Sequence, residues 1–165
     1  MSSAYHEVWN RSISDREGFW LEQAGLIEWY EPPAAALDAA NPPFYRWFPG
    51  GRLNTCFNAL DRHVRDGHGD RLALIYDSPM TNSVARYTYR KLLAAVADLA
   101  GGLVSIGVRP GDRVLLYMPM IPETVMAMLA CARIGAIHSV VFGGFGAPEL
   151  AARIDDAEPR VILTA

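Results

Sequence analysis

Few residues in this chain have the type and spacing to do chemistry, and the most suggestive are glycines. Phe142-Gly143-Gly144-Phe145-Gly146 follows an apolar run and leads into Pro148-Glu149, a helix-opening pair. Glycines at the carboxyl end of a strand let the backbone approach a ligand. The helix that follows offers free N–H groups to an anion. The wording is not that of a dinucleotide site. Gly144-Phe145-Gly146 supplies G-x-G, but Glu149 holds the third glycine position, and no acidic residue stands about twenty positions on. The plainer reading, a tight strand-to-helix turn, stays open beside the ligand-binding one.

The other candidates read as structure. Fourteen of the basic residues are Arg and one is Lys, Lys91. No glycine precedes a Lys-Ser or Lys-Thr pair, so there is no Walker-type phosphate loop. Lys91 stands at the start of an amphipathic helix and reads as solvated. His138-Ser139 are neighbours in a strand and point to opposite faces, which disfavours a catalytic pair. No G-x-S-x-G elbow accompanies them. Cys56, His63 and His68 match no standard zinc spacing, and no further Cys or His pair completes such a site. Asp155-Asp156 read as solvated helix residues. Phe44, Tyr45, Trp47 and Phe48 make an aromatic loop. It could stack on bases, but it reads better as a pin for the N-terminal arm.

The elements that must position these groups follow from pattern. Tyr5 to about Tyr30 is predicted as one amphipathic helical arm capped by Ser14 or Asp15, with Glu31-Pro32-Pro33 stopping it. Asn54 can cap a second helix that ends near Gly67. Leu72–Tyr76 and Val84–Tyr89 are strand-like and joined by a punctuated turn, as in a hairpin. Thr88 then caps a long helix whose stripe includes Leu92, Val96, Leu99 and Leu103, with Gly107 as its C′ residue. From Arg113 the pattern alternates. A strand runs to Met118, and a helix opens at Pro122 and closes at Gly135. The next strand covers Ile137–Phe142, a helix opens at Pro148, and a final strand begins at Arg160. This order implies a parallel sheet with right-handed crossovers. The fold class is therefore α/β, with a helical arm followed by a parallel-sheet subdomain. The helix around Val125–Ala132 is apolar nearly all round and should be buried on several sides, under more protein than this chain supplies.

Composition bounds the rest. The 165 residues are 51% hydrophobic with mean hydropathy +0.08, ample for a core. No apolar run approaches the roughly 20 residues of a membrane span. MSSAYHEVWN has neither a basic start nor an apolar stretch, which argues against a secretory signal. Cys56 and Cys131 sit in apolar helical contexts and read as reduced, buried thiols of a cytoplasmic protein. The net charge of −3 and pI near 5.8 give no footprint for nucleic acid. Within that total, the first fifty residues carry three Arg against seven Asp/Glu, an acidic arm on a near-neutral body.

Several stretches together resemble the short-chain acyl-CoA synthetases of the adenylate-forming superfamily. They are WFPGGRLNTCFNALDRH (Trp47 to His63), YTYRKLL (Tyr87 to Leu93), GVRPGDRVLLYMPMIPE (Gly107 to Glu123) and AMLACARIGAIHSVVFGGF (Ala127 to Phe145). IYDSPMT (Ile75 to Thr81) and FGAPELAARIDDAEP (Phe145 to Pro159) look more like propionyl-CoA than acetyl-CoA synthetases. The resemblance implies residues 1–69 as a helical cap of acetyl-CoA synthetase type and 70–165 as the start of the AMP-binding α/β domain. It implies ATP, CoA and Mg²⁺ as cofactors and a short-chain carboxylate as substrate, propionate before acetate. It implies the rest of a longer polypeptide as partner, with no nucleic acid or membrane. It carries over Phe142, Gly143 and Gly144 as CoA contacts. The family's phosphate loop, ribose-binding aspartate, catalytic lysine and phosphate-gripping arginines have no counterpart here. No catalytic or metal-binding residue is therefore assigned, and residues 1–165 alone are expected to be inactive and prone to associate. The alternatives are a non-catalytic CoA- or nucleotide-binding module and a structural piece of a dehydrogenase-like sheet.

Overall fold

A computed structural model describes residues 3–165, which fall into two compact units that divide between Asn54 and Thr55. In the first, α1 (Ala4–Ser14) opens at Ser3, whose hydroxyl accepts from the His6 amide. The expected single arm is broken at Asp15, which leaves helical geometry at φ −121° and ψ 60°. Its carboxylate instead caps α2 (Arg16–Ala24) by accepting from the Gly18 amide at 3.2 Å. A short acidic side chain that competes for backbone donors favours a cap over a helix interior, so the arm is two helices. Beyond α2, β1 (Leu37–Asp38) pairs antiparallel with β2 (Arg46–Trp47). The Trp47 ring meets Trp20 edge-on and Phe48 meets Trp29. The aromatic loop thus pins α2, while Phe44 and Tyr45 remain exposed.

The second unit begins with helical residues 55–68, which contain π-helical turns at Phe57–Asp61 and Val64–His68. Gly67, at φ +85°, leaves helical geometry inside the last of these turns, near the expected end. It buries Cys56 and Leu60 in the same core as α3 (Tyr89–Ser105). That packing places residues 55–68 in the second compact unit. β3 (Leu72–Ser78) and β4 (Ser83–Thr88) form the expected hairpin, with an irregularity between Leu72 and Leu74. Thr88 caps α3 by accepting from the Lys91 amide. At the other end Gly107, at φ +93°, and Val108 donate back to Val104 and Leu103. That paired closure needs the left-handed backbone glycine adopts most readily.

The sheet has the order β6-β5-β7, all parallel, from β5 (Arg113–Met118), β6 (Ile137–Phe142) and β7 (Val161–Thr164). The helix α4 (Pro122–Ile134) links β5 to its neighbour β6, and α5 (Ala147–Ala157) carries the chain from β6 past β5 to the opposite edge. Val114, Leu115 and Leu116 of the central strand are wholly buried. A strand covered on both faces must read as a continuous apolar run, and each such side chain contributes about 1.5–3 kcal/mol of burial. Met126, Ala127, Ala130 and Cys131 of α4 are buried in this unit, while Val125, Met128, Leu129 and Ala132 along its other side are only half-buried. The outer strands differ. Ile137, Val140 and Phe142 on β6 and Ile162 on β7 are open to solvent. No helix among the described residues is long and apolar enough to cross a membrane.

Candidate functional site

β5 and β6 end side by side, with Met118 opposite Phe142 as the last register pair. The chain leaves β5 through Pro119 and β6 through Gly143, and between the two exits lies a cleft of about 480 Å³. Met118, Pro119, Met120 and Thr124 form one wall, and residues 140–144 form the other. The glycine loop reaches this position because Gly143 has no side chain. A Cβ there would stand 3.2 Å from the Met118 carbonyl oxygen and 3.4 Å from the Pro119 nitrogen.

The loop and its facing wall are each tied down. The Phe145 amide donates to the Phe142 carbonyl at 3.0 Å, closing a turn. The Tyr117 hydroxyl donates to the Phe145 carbonyl at 2.7 Å. The Phe142 and Phe145 rings meet edge-on at 5.7 Å, and the Arg153 guanidinium lies over the Phe145 ring at 4.5 Å. Opposite, Thr124 is buried, and its hydroxyl donates to the Pro119 carbonyl at 2.8 Å. Gly146 precedes α5 without a side-chain cap, which leaves first-turn amides free to donate. The cleft is lined by apolar side chains, one satisfied hydroxyl and backbone, and no titratable side chain borders it. Such a slot can hold and orient the arm of a ligand. It offers no group for proton transfer or nucleophilic attack.

The remaining sequence candidates lie apart from it. Lys91 is exposed on α3. His138 and Ser139 alternate along β6, and His138 Nδ1 is buried without a hydrogen-bond partner. The His63 ring stacks on Tyr89 at 4.7 Å, and Cys56 faces the core, where Arg133 reaches its sulfur at 3.8 Å. Asp155 and Asp156 are exposed. Burial pushes the Cys56 thiol up, partly offset by Arg133, and pushes the Cys131 thiol up to about 11.

Residues 60–165 match the family model for AMP-binding enzymes, and residues 5–59 match that for the acetyl-coenzyme A synthetase N-terminus. The chain belongs to the AMP-binding enzyme family. The whole cleft falls inside the stretch that matches the AMP-binding enzymes. Among similar proteins is the human mitochondrial acyl-CoA synthetase short-chain family member 3, 50% identical over 163 residues, which cover 99% of this chain and 24% of that protein. The acetyl-coenzyme A synthetase of Streptomyces coelicolor is 52% identical over 159 residues, 96% of this chain and 24% of its own length. An uncharacterized protein of Pseudomonas aeruginosa is 55% identical over 155 residues, 94% of this chain and 25% of its own. The chain thus spans about a quarter of the length of these relatives.

The glycine loop is visible in the sequence, but the wall that faces it is not. Met118, Pro119, Met120 and Thr124 are brought to the loop by strand register, and register is set by partners distant in sequence. One signal was legible. Thr124 stands in the first turn of a helix that is apolar from Val125 on, two residues after Pro122, where a hydroxyl can serve a carbonyl of the preceding turn. Tyr117 gave a weaker one, as a hydroxyl near the end of a strand otherwise buried and apolar.

Proposed function

We propose that the protein carrying this chain is an acid–CoA ligase that forms AMP, with propionate favoured and acetate next. A carboxylate oxygen attacks the α-phosphorus of ATP, and pyrophosphate leaves. The CoA thiol, giving up its proton, then attacks the acyl carbonyl, and AMP leaves. The observation that carries the reading is the apolar, backbone-edged cleft at the β5 and β6 ends, within the stretch that matches AMP-binding enzymes. The names of the similar proteins, acyl-CoA and acetyl-CoA synthetases, support the coarse reaction. The propionate preference rests on the wording of residues 75–81 and 145–159.

The part assigned to these residues is CoA binding, with Phe142, Gly143 and Gly144 as contacts. Backbone N–H and C=O groups of a glycine loop suit the amides of the CoA arm, and the methionine and valine side chains suit its methylenes. The residues that line the cleft offer no carboxylate to a metal. Magnesium, which takes oxygen ligands, therefore does not fit them. Lys91, the single lysine, stands exposed on α3, so residues 1–165 by themselves are proposed to be inactive.

The test is ATP–pyrophosphate exchange by the complete gene product, measured without CoA. Exchange should depend on propionate, be weaker with acetate, and be absent from residues 1–165 alone. Exchange with no short-chain acid would overturn the ligase reading. Acetate exceeding propionate would overturn the finer preference.

A further inference from the structure

We infer that Tyr117 is a positioning residue for the CoA step, acting through the glycine loop; this rests on the ligase reading above. Tyr117 lies on β5 one residue before its end. Alternation along the strand places it on the same face as Leu115, opposite the face of Val114 and Leu116, which join the core with α3 and α4. From that other face its hydroxyl reaches the Phe145 carbonyl at 2.7 Å. Phe145 is already tied to Phe142 through its amide, and its ring lies under Arg153. One hydrogen bond from the central strand therefore fixes the far end of a turn whose near end, Gly143, lies on the Met118–Pro119 backbone.

The consequence is specific. A glycine-rich turn has many accessible backbone conformations, and a ligand that needs one of them binds more weakly when the others are populated. Tyr117→Phe keeps the ring and its packing and removes only the donor. The expected loss is that of one hydrogen bond, about a three- to tenfold rise in KM for CoA. Acid activation by ATP does not involve this loop in the proposed scheme, so ATP–pyrophosphate exchange should stay within about twofold of the unaltered protein.

The experiment compares the complete gene product with its Tyr117→Phe form by two readouts, with Tyr76→Phe on the hairpin as control. Hydrogen–deuterium exchange should quicken at residues 142–146 in Tyr117→Phe and not in the control. KM for CoA should rise while pyrophosphate exchange holds. Unchanged amide exchange in the loop would overturn the tether. Faster amide exchange with unchanged KM for CoA would overturn the positioning role, and so would an equal fall in acid activation and CoA transfer. If the unaltered protein activates acids yet transfers nothing to CoA, the CoA reading of the cleft fails. The amide-exchange comparison then decides the tether alone.

Discussion

Arg133, in the last turn of α4, holds both carboxylate oxygens of Asp61 from one guanidinium nitrogen, at 2.8 and 3.0 Å. The contact joins α4 to the helix of residues 55–68, and the side chains keep only 32% and 22% of their exposure. Asp61 is the main reason the Arg133 guanidinium is raised above its usual value. Removing one partner would take from the other its closest charged contact in a site largely withdrawn from water.

Asp61→Ala is therefore expected to destabilise the fold by about 1.5–3 kcal/mol, more than an exposed pair would. Urea denaturation of Asp61→Ala, Arg133→Ala and the double variant checks this. The two losses should be clearly less than additive. Full additivity would show that the contact contributes nothing.

Cys131 should make the fold sensitive to alkali. Its folded thiol is raised to about 11 by burial, above the ordinary value of about 8.5 expected when unfolded. The folded state then keeps a proton the unfolded state gives up. Stability is fully present below the unfolded value and is lost as pH rises through the folded one. The melting temperature of the native protein should fall more steeply between about pH 8.5 and 11 than that of Cys131→Ala. Parallel pH profiles would contradict this. Both thiols should also resist alkylation until the protein unfolds.

Gly143→Ala tests the close approach in the cleft. The added methyl would meet Met118 and Pro119 backbone atoms at 3.2–3.4 Å, and those atoms cannot swing away. The loop must shift by a few tenths of an ångström. The expected result is a rise of about tenfold in KM for CoA with pyrophosphate exchange largely kept. A variant with unaltered CoA kinetics would remove Gly143 from the site.

The exposed strand β6 should make residues 1–165 associate when studied alone. Ile137, Val140 and Phe142 offer an apolar sheet edge of the kind that pairs with other chains. Light scattering should detect oligomers, and Val140→Lys should reduce them. A monodisperse, cooperatively melting monomer would contradict the expectation.

The alternation from Arg113 onward was legible because each strand and helix there carries its own period and its own stop. Pro122, Gly135 and Pro148 mark boundaries the structure keeps. Asp15 was legible as a cap but not as a break, because the apolar spacing of Phe19, Trp20 and Ala24 continues the phase of α1 and only backbone capping separates the two helices. The π-helical turns within residues 55–68 leave no mark in a pattern of Phe57, Leu60 and Val64. In the site, the glycine loop announced itself through composition. The Met118–Thr124 wall did not, since it exists only once β5 and β6 are in register.

The most direct test is product analysis of the complete gene product supplied with propionate, ATP and CoA. Equal amounts of propionyl-CoA and AMP, with pyrophosphate, are expected. Formation of ADP in place of AMP, or no acyl-CoA from any short-chain acid, would contradict the assignment of the cleft and of the reaction it serves.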